Sequence, residues 1–327
     1  MQASDQKTKL ISIVVPVYNE QENIEAFYQE VLTAMENIPY QFEIIFVDDG
    51  SSDFTPLILD RLRNSDSRVK AIIFSKNYGH QMALTCGMDN AYGDAVITMD
   101  GDLQHPPELI PTLIENWERG FEIVQTIRLD TEGQTWLKKI TSKWFYKILN
   151  MISNTHIYPG GADFRLMDQK AVASFRLFKE KARFIRGMIG SIGYNQISIE
   201  FIAPKRFAGK SKFSITKMLR FALDGVTAYS KTPLRLAFYI GVLMFLASLG
   251  MVSYVVYVKW FTNEAVLGWA TITASIFFLG GLQLLGIGII GEYVGRVFEE
   301  VKGRPLYLVK AYLQKEENTA KTEDLTQ

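Results

Sequence analysis

The sequence predicts a doubly wound, mostly parallel α/β sheet followed by juxtamembrane helices and a two-helix transmembrane hairpin. Two observations carry this: short apolar runs alternate with helix-like stretches up to residue 128, and two long uncharged runs follow residue 235. The short runs are ISIVVPV (11–17), FEIIFVD (42–48), VKAIIFS (69–75), DAVITMD (94–100) and EIVQTIR (122–128). They are nearly continuous in apolar residues, as strands covered on both faces are. Helix-like stretches at 21–37, 53–64, 79–92 and 107–119 separate them. An alternating βαβα order argues for a mainly parallel sheet with helices on both sides.

The long runs predict the membrane part. Leu236 to Val258 is 23 residues without a charge, and Val266 to Gly291 is 26 residues interrupted only by Gln283. About 20 apolar residues span a bilayer as a helix, and neither run has the polar stripe of a core helix. Lys212, Lys217, Arg220, Lys231 and Arg235 precede the first run, and Arg296, Lys302, Arg304 and Lys310 follow the second. The positive-inside rule then places both ends, and the soluble domain, on the cytoplasmic side of the inner membrane. LISIVVPV is too short for a secretion signal, so no leader is expected. The expected division is a soluble domain at 1–210, an amphipathic juxtamembrane segment at 211–235, two spans within 236–294, and a cytoplasmic segment at 295–327 with a disordered tail.

Composition narrows the classes further. Thirty-five Lys and Arg balance 35 Asp and Glu, so no nucleic-acid partner is implied by the total. One cysteine, Cys86, excludes an internal disulfide framework and an ordinary cysteine zinc site. Gly280, Gly281, Gly286, Gly288 and Gly291 line the second run. They permit close helix packing, within the hairpin or in a homo-oligomer.

Function is expected where the strands end, because ligands of open α/β sheets sit outside the carboxyl ends. Those ends read PVYNE, VDDGSSD, SKNYGHQ and MDGDLQ, with no G-x-G-x-x-G among them. Asp100 and Asp102 are like charges without a basic neighbour in sequence, which a divalent cation would reconcile. Hard cations take oxygen ligands, and Gln104 offers a further one. A solvated turn with an Asp helix cap is the plain alternative, and a D-x-D motif alone does not decide between them.

The ordered set P-V-Y-N-E, V-D-D-G-S and D-G-D-L-Q, with a hairpin behind it, resembles family 2 glycosyltransferases of the GT-A fold. The branch it resembles is the polyprenyl-phosphate glycosyltransferases, through GADFRLMD (161–168), RFAGKSKFS (206–214) and GEYVGRVFEEVKGRP (291–305). Bactoprenol glucosyltransferases are the nearer likeness, and dolichol-phosphate mannose synthase, with GDP-mannose as donor, the alternative. The resemblance implies a UDP-sugar donor, undecaprenyl (polyprenyl) phosphate as acceptor, and Mg²⁺ or Mn²⁺ as cofactor. It also implies a downstream flippase and a second glycosyltransferase as pathway partners.

The same resemblance assigns residues. Pro16, Tyr18 and Glu20 match the nucleoside-binding stretch, and Val47 and Asp49 the positions holding the nucleobase. Asp100, Gly101 and Asp102 match the donor diphosphate group, with Asp100, Asp102 and Gln104 as the metal set. Arg128, Arg206 and Lys212 match basic residues around the sugar diphosphate and the lipid phosphate; juxtamembrane attraction to anionic lipid is the alternative for the last two. Asp163 matches the bacterial branch's candidate base, oriented by Arg165. A phosphate acceptor with a second pKa of about 6 needs little deprotonation, so a positioning role stays open for Asp163. The family more often has Ala and Asp where this chain has Gly101 and His105. Mg²⁺ prefers oxygen, so His105 is expected behind the ligands or at the surface.

Three other classes fit less of the chain. A processive polysaccharide synthase would need a larger channel and a Q-x-x-R-W stretch. A nucleotidyltransferase would leave the hairpin and basic loop unexplained. A non-catalytic membrane scaffold would have no use for the acidic and basic set together.

Overall fold

The computed structural model describes residues 8–129, 161–202, 232–261 and 268–314. They fall into two compact units: one runs to Ile202 and takes in the segment from Pro305, and the other holds the two long helices.

In the first unit the chain runs β1 (Leu10–Val17), α1 (Ile24–Met35), β2 (Gln41–Asp48), α2 (Thr55–Ser65), β3 (Val69–Phe74), α3 (His80–Asp89) and β4 (Ala95–Thr98). After a short turn of 3-10 helix come α4 (Ile110–Glu118), β5 (Ile123–Leu129), β6 (Gly161–Asp168), α5 (Gln169–Arg176), α6 (Ile185–Ser191) and β7 (Gln196–Ile202). A last strand, β8 (Val309–Leu313), closes the unit. The sheet has eight strands in the order β7-β5-β6-β4-β1-β2-β3-β8. Strands β1, β2 and β4 are apolar and buried almost throughout, as the runs predict.

The helices cover the sheet with one face each. In α1, Ile24, Phe27, Tyr28, Val31 and Met35 are buried, the spacing of one helical stripe. Pro56 opens α2 in the first turn, where its missing N–H costs nothing. Pro16 is accommodated in the central strand because pairing with β4 stops at Val14–Thr98.

The parallel half, β4-β1-β2-β3, is as predicted, but the whole sheet is mixed: four of its seven pairings are parallel. Strand β6 stands between β4 and β5, antiparallel to both. Its sequence, GADFRLMD, carries Asp163 and Arg165 inside an apolar stretch and so does not read as a buried strand. The two charges pair with each other, which removes the objection. Because β6 is antiparallel, its first residues lie at the carboxyl ends of β4 and β5. Edge strand β7 alternates, with Ile197, Ile199 and Phe201 turned to the core. At the other edge β8 pairs antiparallel with β3, and Tyr307 just before it stacks on Phe74 at 5.0 Å.

Gly50 is required both by its conformation and by close approach. Gly50 has φ +71°, and a Cβ there would stand 2.4 Å from the Lys76 carbonyl carbon and 2.8 Å from the Asn77 nitrogen. Both atoms are backbone, so nothing can swing aside. Gly50→Ala is expected to destabilise the chain by roughly 3 kcal/mol or more, the left-handed cost plus displacement of the 76–77 backbone. Thermal melting of the two proteins in parallel checks it.

In the second unit α7 (Thr232–Phe261) and α8 (Trp269–Val301) run 30 and 33 residues. At 1.5 Å per residue both exceed a bilayer's hydrocarbon thickness. The two pack on each other. Phe238, Leu243, Leu246, Ile276, Leu284 and Ile287 are nonetheless exposed, a large apolar surface for a soluble protein. Among the described residues, Phe278–Val301 has the length and composition to cross a membrane. The first expected run, 236–258, falls inside α7; the second, 266–291, lies in α8 from Trp269 onward, and residues 266 and 267 lie outside the described residues. The juxtamembrane stretch up to residue 231 and the tail from 315 lie outside the described residues.

Candidate active site

The loops after β1 and β2 form one locked unit. Asn19 N–H donates to Ser51 Oγ at 2.8 Å, and Ser52 N–H donates to Asn19 Oδ1 at 2.9 Å. Glu20 N–H donates to Thr55 Oγ1 at 3.0 Å. Asn19 takes a left-handed φ of 53°, which asparagine tolerates. Pro16 sits beside Val47 across the β1–β2 pair, and both are buried. Tyr18 and Glu20 are half-buried, and Glu20 Oε2 accepts from Asn23 Nδ2 at 2.6 Å. The nucleoside-site residues read from PVYNE and VDDGS therefore do meet.

Asp48 and Asp49 divide the work at the end of β2. Asp48 makes the turn, its Oδ1 accepting from the Ser51 N–H and hydroxyl. Asp49 reaches the other way: Oδ1 accepts from Tyr78 N–H at 2.6 Å and Oδ2 from Gly79 N–H at 2.9 Å. Burial raises both carboxyls above their usual range, against the hydrogen bonds they accept. Asp49 thereby ties the strand end to the loop that starts α3.

The DGDLQH stretch turns back on itself after β4. Gly101 is buried, and a Cβ there would lie 3.1 Å from Val17 Cγ1 and 3.3 Å from Val15 Cγ1, so the family alanine would press on both. Leu103 has φ 61°, a left-handed conformation costing a leucine about 1–2 kcal/mol. Asp102 Oδ1 accepts from Gln104 N–H at 3.1 Å. His105 is buried rather than at the surface. Its Nδ1 accepts the Asp100 N–H at 2.8 Å, and its ring stacks on Phe164 at 5.4 Å. Burial pushes its pKa down, against the pull of the Asp100, Asp102 and Asp163 carboxylates.

Asp100 has a second histidine. His80 Nε2 donates to Asp100 Oδ1 at 2.7 Å. Burial would raise Asp100, but its two histidine neighbours outweigh it and hold the carboxyl down at about 2. Burial likewise acts against a charged His80, and the Asp100 carboxylate overrides it, raising His80 to about 9.

Asp163 and Arg165, on β6, reach this end of the sheet from the far side of β4. Arg165 Nη2 donates to Asp163 Oδ1 at 2.7 Å. Arg186, from α6, grips the same carboxylate with Nε at 3.0 Å and Nη2 at 3.1 Å. Burial favours the neutral acid, yet Arg186 and Arg165 hold Asp163 far below the usual carboxylate range. Such a carboxylate is a poor proton acceptor. Arg165 is 1% exposed, burial draws its pKa down to about 10, and its Nη1 has no partner among the described residues. Thr98 Oγ1 and Thr126 Oγ1 each donate at 2.7 Å to a β6 carbonyl, those of Asp163 and Phe164. Arg128, at the end of β5, donates from Nη1 to Gln104 Oε1 at 3.3 Å.

The structure thus gathers Asp100, Asp102, Gln104, Arg128, Asp163 and Arg165 at one end of the sheet. Arg206 and Lys212 lie outside the described residues. Sequence reasoning missed His80 and Arg186. SKNYGHQ reads as a strand end, and its histidine is the available signal; Arg186 belongs to no motif.

The donor set suits a hard divalent cation. Asp100 and Asp102 offer carboxylate oxygens of the kind Mg²⁺ and Mn²⁺ prefer. Among the described residues no group of three or more His, Cys, Asp and Glu is placed to hold a metal unaided. A cation here would complete its shell with substrate phosphate oxygens and water.

Comparison with known proteins decides the class. Residues 12–175 match glycosyl transferase family 2, and residues 232–297 match the GtrB C-terminal hairpin. The SfII prophage-derived bactoprenol glucosyl transferase of Shigella flexneri is 42% identical over 92% of this chain and 97% of its own. The chain belongs to glycosyl transferase family 2. An uncharacterized glycosyltransferase of Bacillus subtilis (strain 168), YkcC, is also 42% identical, over 91% of this chain and 93% of its own. The mixed α/β sheet is of the GT-A class that the sequence motifs imply. Among solved structures, the glucosyl-3-phosphoglycerate synthase of Mycobacterium tuberculosis, with Mn²⁺ and UDP-glucose, aligns over 67% of this chain and 78% of its own. Its TM-score is 0.45 at 15% identity, too loose a likeness to bear on the site.

Proposed function

We propose that this family 2 glycosyltransferase moves glucose from UDP-glucose to a polyprenyl phosphate such as undecaprenyl phosphate, releasing UDP at the cytoplasmic face of the membrane. One observation carries the reading: Arg128 reaches Gln104, in the stretch that also holds Asp100 and Asp102, in a chain that also bears the matched C-terminal hairpin. The bactoprenol glucosyl transferases at about 42% identity over nearly the full length support glucose and the lipid acceptor.

The reaction is a single displacement. A lipid-phosphate oxygen attacks the anomeric carbon while the bond to the departing UDP breaks on the opposite side, so the configuration inverts. The loops of residues 16–20 and 47–51 hold the nucleoside. Asp100 and Asp102, with Gln104 beside them, would hold Mg²⁺ or Mn²⁺, a cation that when bound would supply positive charge beside the leaving diphosphate. Arg128 adds a fixed positive charge nearby, and Arg206 and Lys212 receive the lipid phosphate. A phosphate already largely ionised at neutral pH needs no strong base. The paired state of Asp163 favours a positioning role for it, as the group that holds Arg186 and Arg165 in place. Catalysis is then mostly orientation and electrostatics prepared in advance. The division into a cytoplasmic catalytic domain (1–210), an amphipathic connector (211–235), two spans (236–294) and a cytoplasmic C-terminal segment is part of this proposal, as is a homo-oligomer.

The test uses the purified full-length chain in detergent. UDP release from UDP-glucose is expected only when both polyprenyl phosphate and Mn²⁺ or Mg²⁺ are present, and GDP-mannose should not substitute. Release from no sugar nucleotide under these conditions would overturn the assignment.

A further inference from the structure

The chain has three histidines, and two of them hydrogen-bond Asp100, His80 at its carboxylate and His105 at its backbone N–H. We propose that His80 and His105 are positioning residues that hold Asp100 ready for the cation, one through its side chain and the other through its backbone. This rests on the metal-and-donor reading above.

Asp100 needs such help because it lies beyond the sheet. Strand β4 ends at Thr98, so no neighbouring strand fixes the backbone two residues later. The Asp100 N–H instead finds His105 Nδ1, five residues on, and the left-handed Leu103 lies within the turn that brings it there. The His105 ring cannot easily tilt away. It stacks on Phe164 of β6 with planes 21° apart and meets Phe201 of β7 edge-on at 6.1 Å. The backbone at Asp100 is thus registered against two strands it does not pair with.

His80 sets the carboxylate. It is the first residue of α3, and the two N–H groups just before it are held by Asp49. From there Nε2 reaches Asp100 Oδ1. The next residue extends the connection: Gln81 Oε1 accepts the N–H of Ile185, the neighbour of Arg186. Residues 78–81 therefore join the nucleoside loop, the cation carboxylate and the Asp163–Arg186 pair in four consecutive positions. Hydrogen-bond partners of metal ligands typically govern affinity 10–100-fold.

The experiment titrates Mn²⁺ into the full-length chain with UDP present and reads free Mn²⁺ by electron paramagnetic resonance. His80→Phe, at a half-exposed position, should weaken Mn²⁺ binding by about ten-fold or more without shifting the melting temperature measured without metal. His80→Gln, which keeps an N–H donor of similar reach, should recover most of the loss. His105→Phe keeps the ring stacking but removes the acceptor, and should weaken Mn²⁺ in the same way; His105→Asn restores an acceptor. In turnover, the Mn²⁺ concentration for half-maximal rate should rise while kcat at saturating Mn²⁺ changes little. Wild-type affinity in both phenylalanine variants would overturn the proposal and leave the functional assignment standing. Failure of the unaltered protein to bind Mn²⁺ with UDP would overturn both.

Discussion

Asp163→Asn is expected to destabilise the protein by about 3–5 kcal/mol and to remove most transferase activity. The substitution keeps the volume but leaves Arg165, almost wholly buried, without its charge partner. Removing one member of a buried ion pair typically costs about 3–5 kcal/mol because the other stays desolvated. Arg186 also loses a two-point hold. The pH dependence identifies the cause. Asp163 is held far below its unfolded value of 3.8, so its contribution is complete above that value and is lost as pH falls towards the folded one. The stability gap between wild type and Asp163→Asn should be constant from pH 8 to about 5 and shrink below about pH 4. Thermal melting at a series of pH values measures it, and a gap that grows in acid would contradict the ion-pair account. The activity profile gives a second check. A base of ordinary pKa would give the wild type an acid limb near pH 4 that the variant lacks. A carboxylate held this low gives none, and both profiles should share the same limbs.

Asp100→Asn should have the larger effect on turnover and the smaller one on the fold, where only the half-exposed pairing with His80 is weakened. Asparagine still accepts a hydrogen bond from His80 and still offers its N–H to His105, so the turn is retained. What disappears is the negative charge that the proposed cation would face. If metal and ligand together supply about 4 kcal/mol to the departing diphosphate, the rate falls about 10³-fold. Sugar transfer measured at saturating UDP-glucose and raised Mn²⁺ should remain low, since the residual site is neutral at that position. Asp102→Asn should behave alike. A protein still folded at the assay temperature beside a lost rate separates chemistry from stability, and transfer within ten-fold of wild type would remove Asp100 from the metal set.

The two experiments touch groups that the sequence revealed to different depths. MDGDLQ announced itself because like charges at a strand end demand an explanation. GADFRLMD was noticed as a motif, but its strand was not, because two charges in an apolar stretch argue against burial until their pairing is seen. His105 could be denied a ligand's role from its chemistry, yet its bond to the Asp100 backbone depends on a left-handed Leu103 that no residue preference would predict. His80 and Arg186 stood outside every stretch to which a role was given, and only their distances to Asp100 and Asp163 reveal them.

The sequence by itself determined the parallel half of the sheet, the four helices on it, the two long apolar helices and the strand ends where chemistry gathers. All of these follow from periodicity and local chemistry, which short windows of sequence contain. Tertiary structure alone decided that β6 enters antiparallel beside β4, that Arg186 grips Asp163, and that residues 78–81 connect Asp49 to Asp100. These contacts join residues 20 to 73 positions apart through strand order and loop closure, which no local pattern encodes.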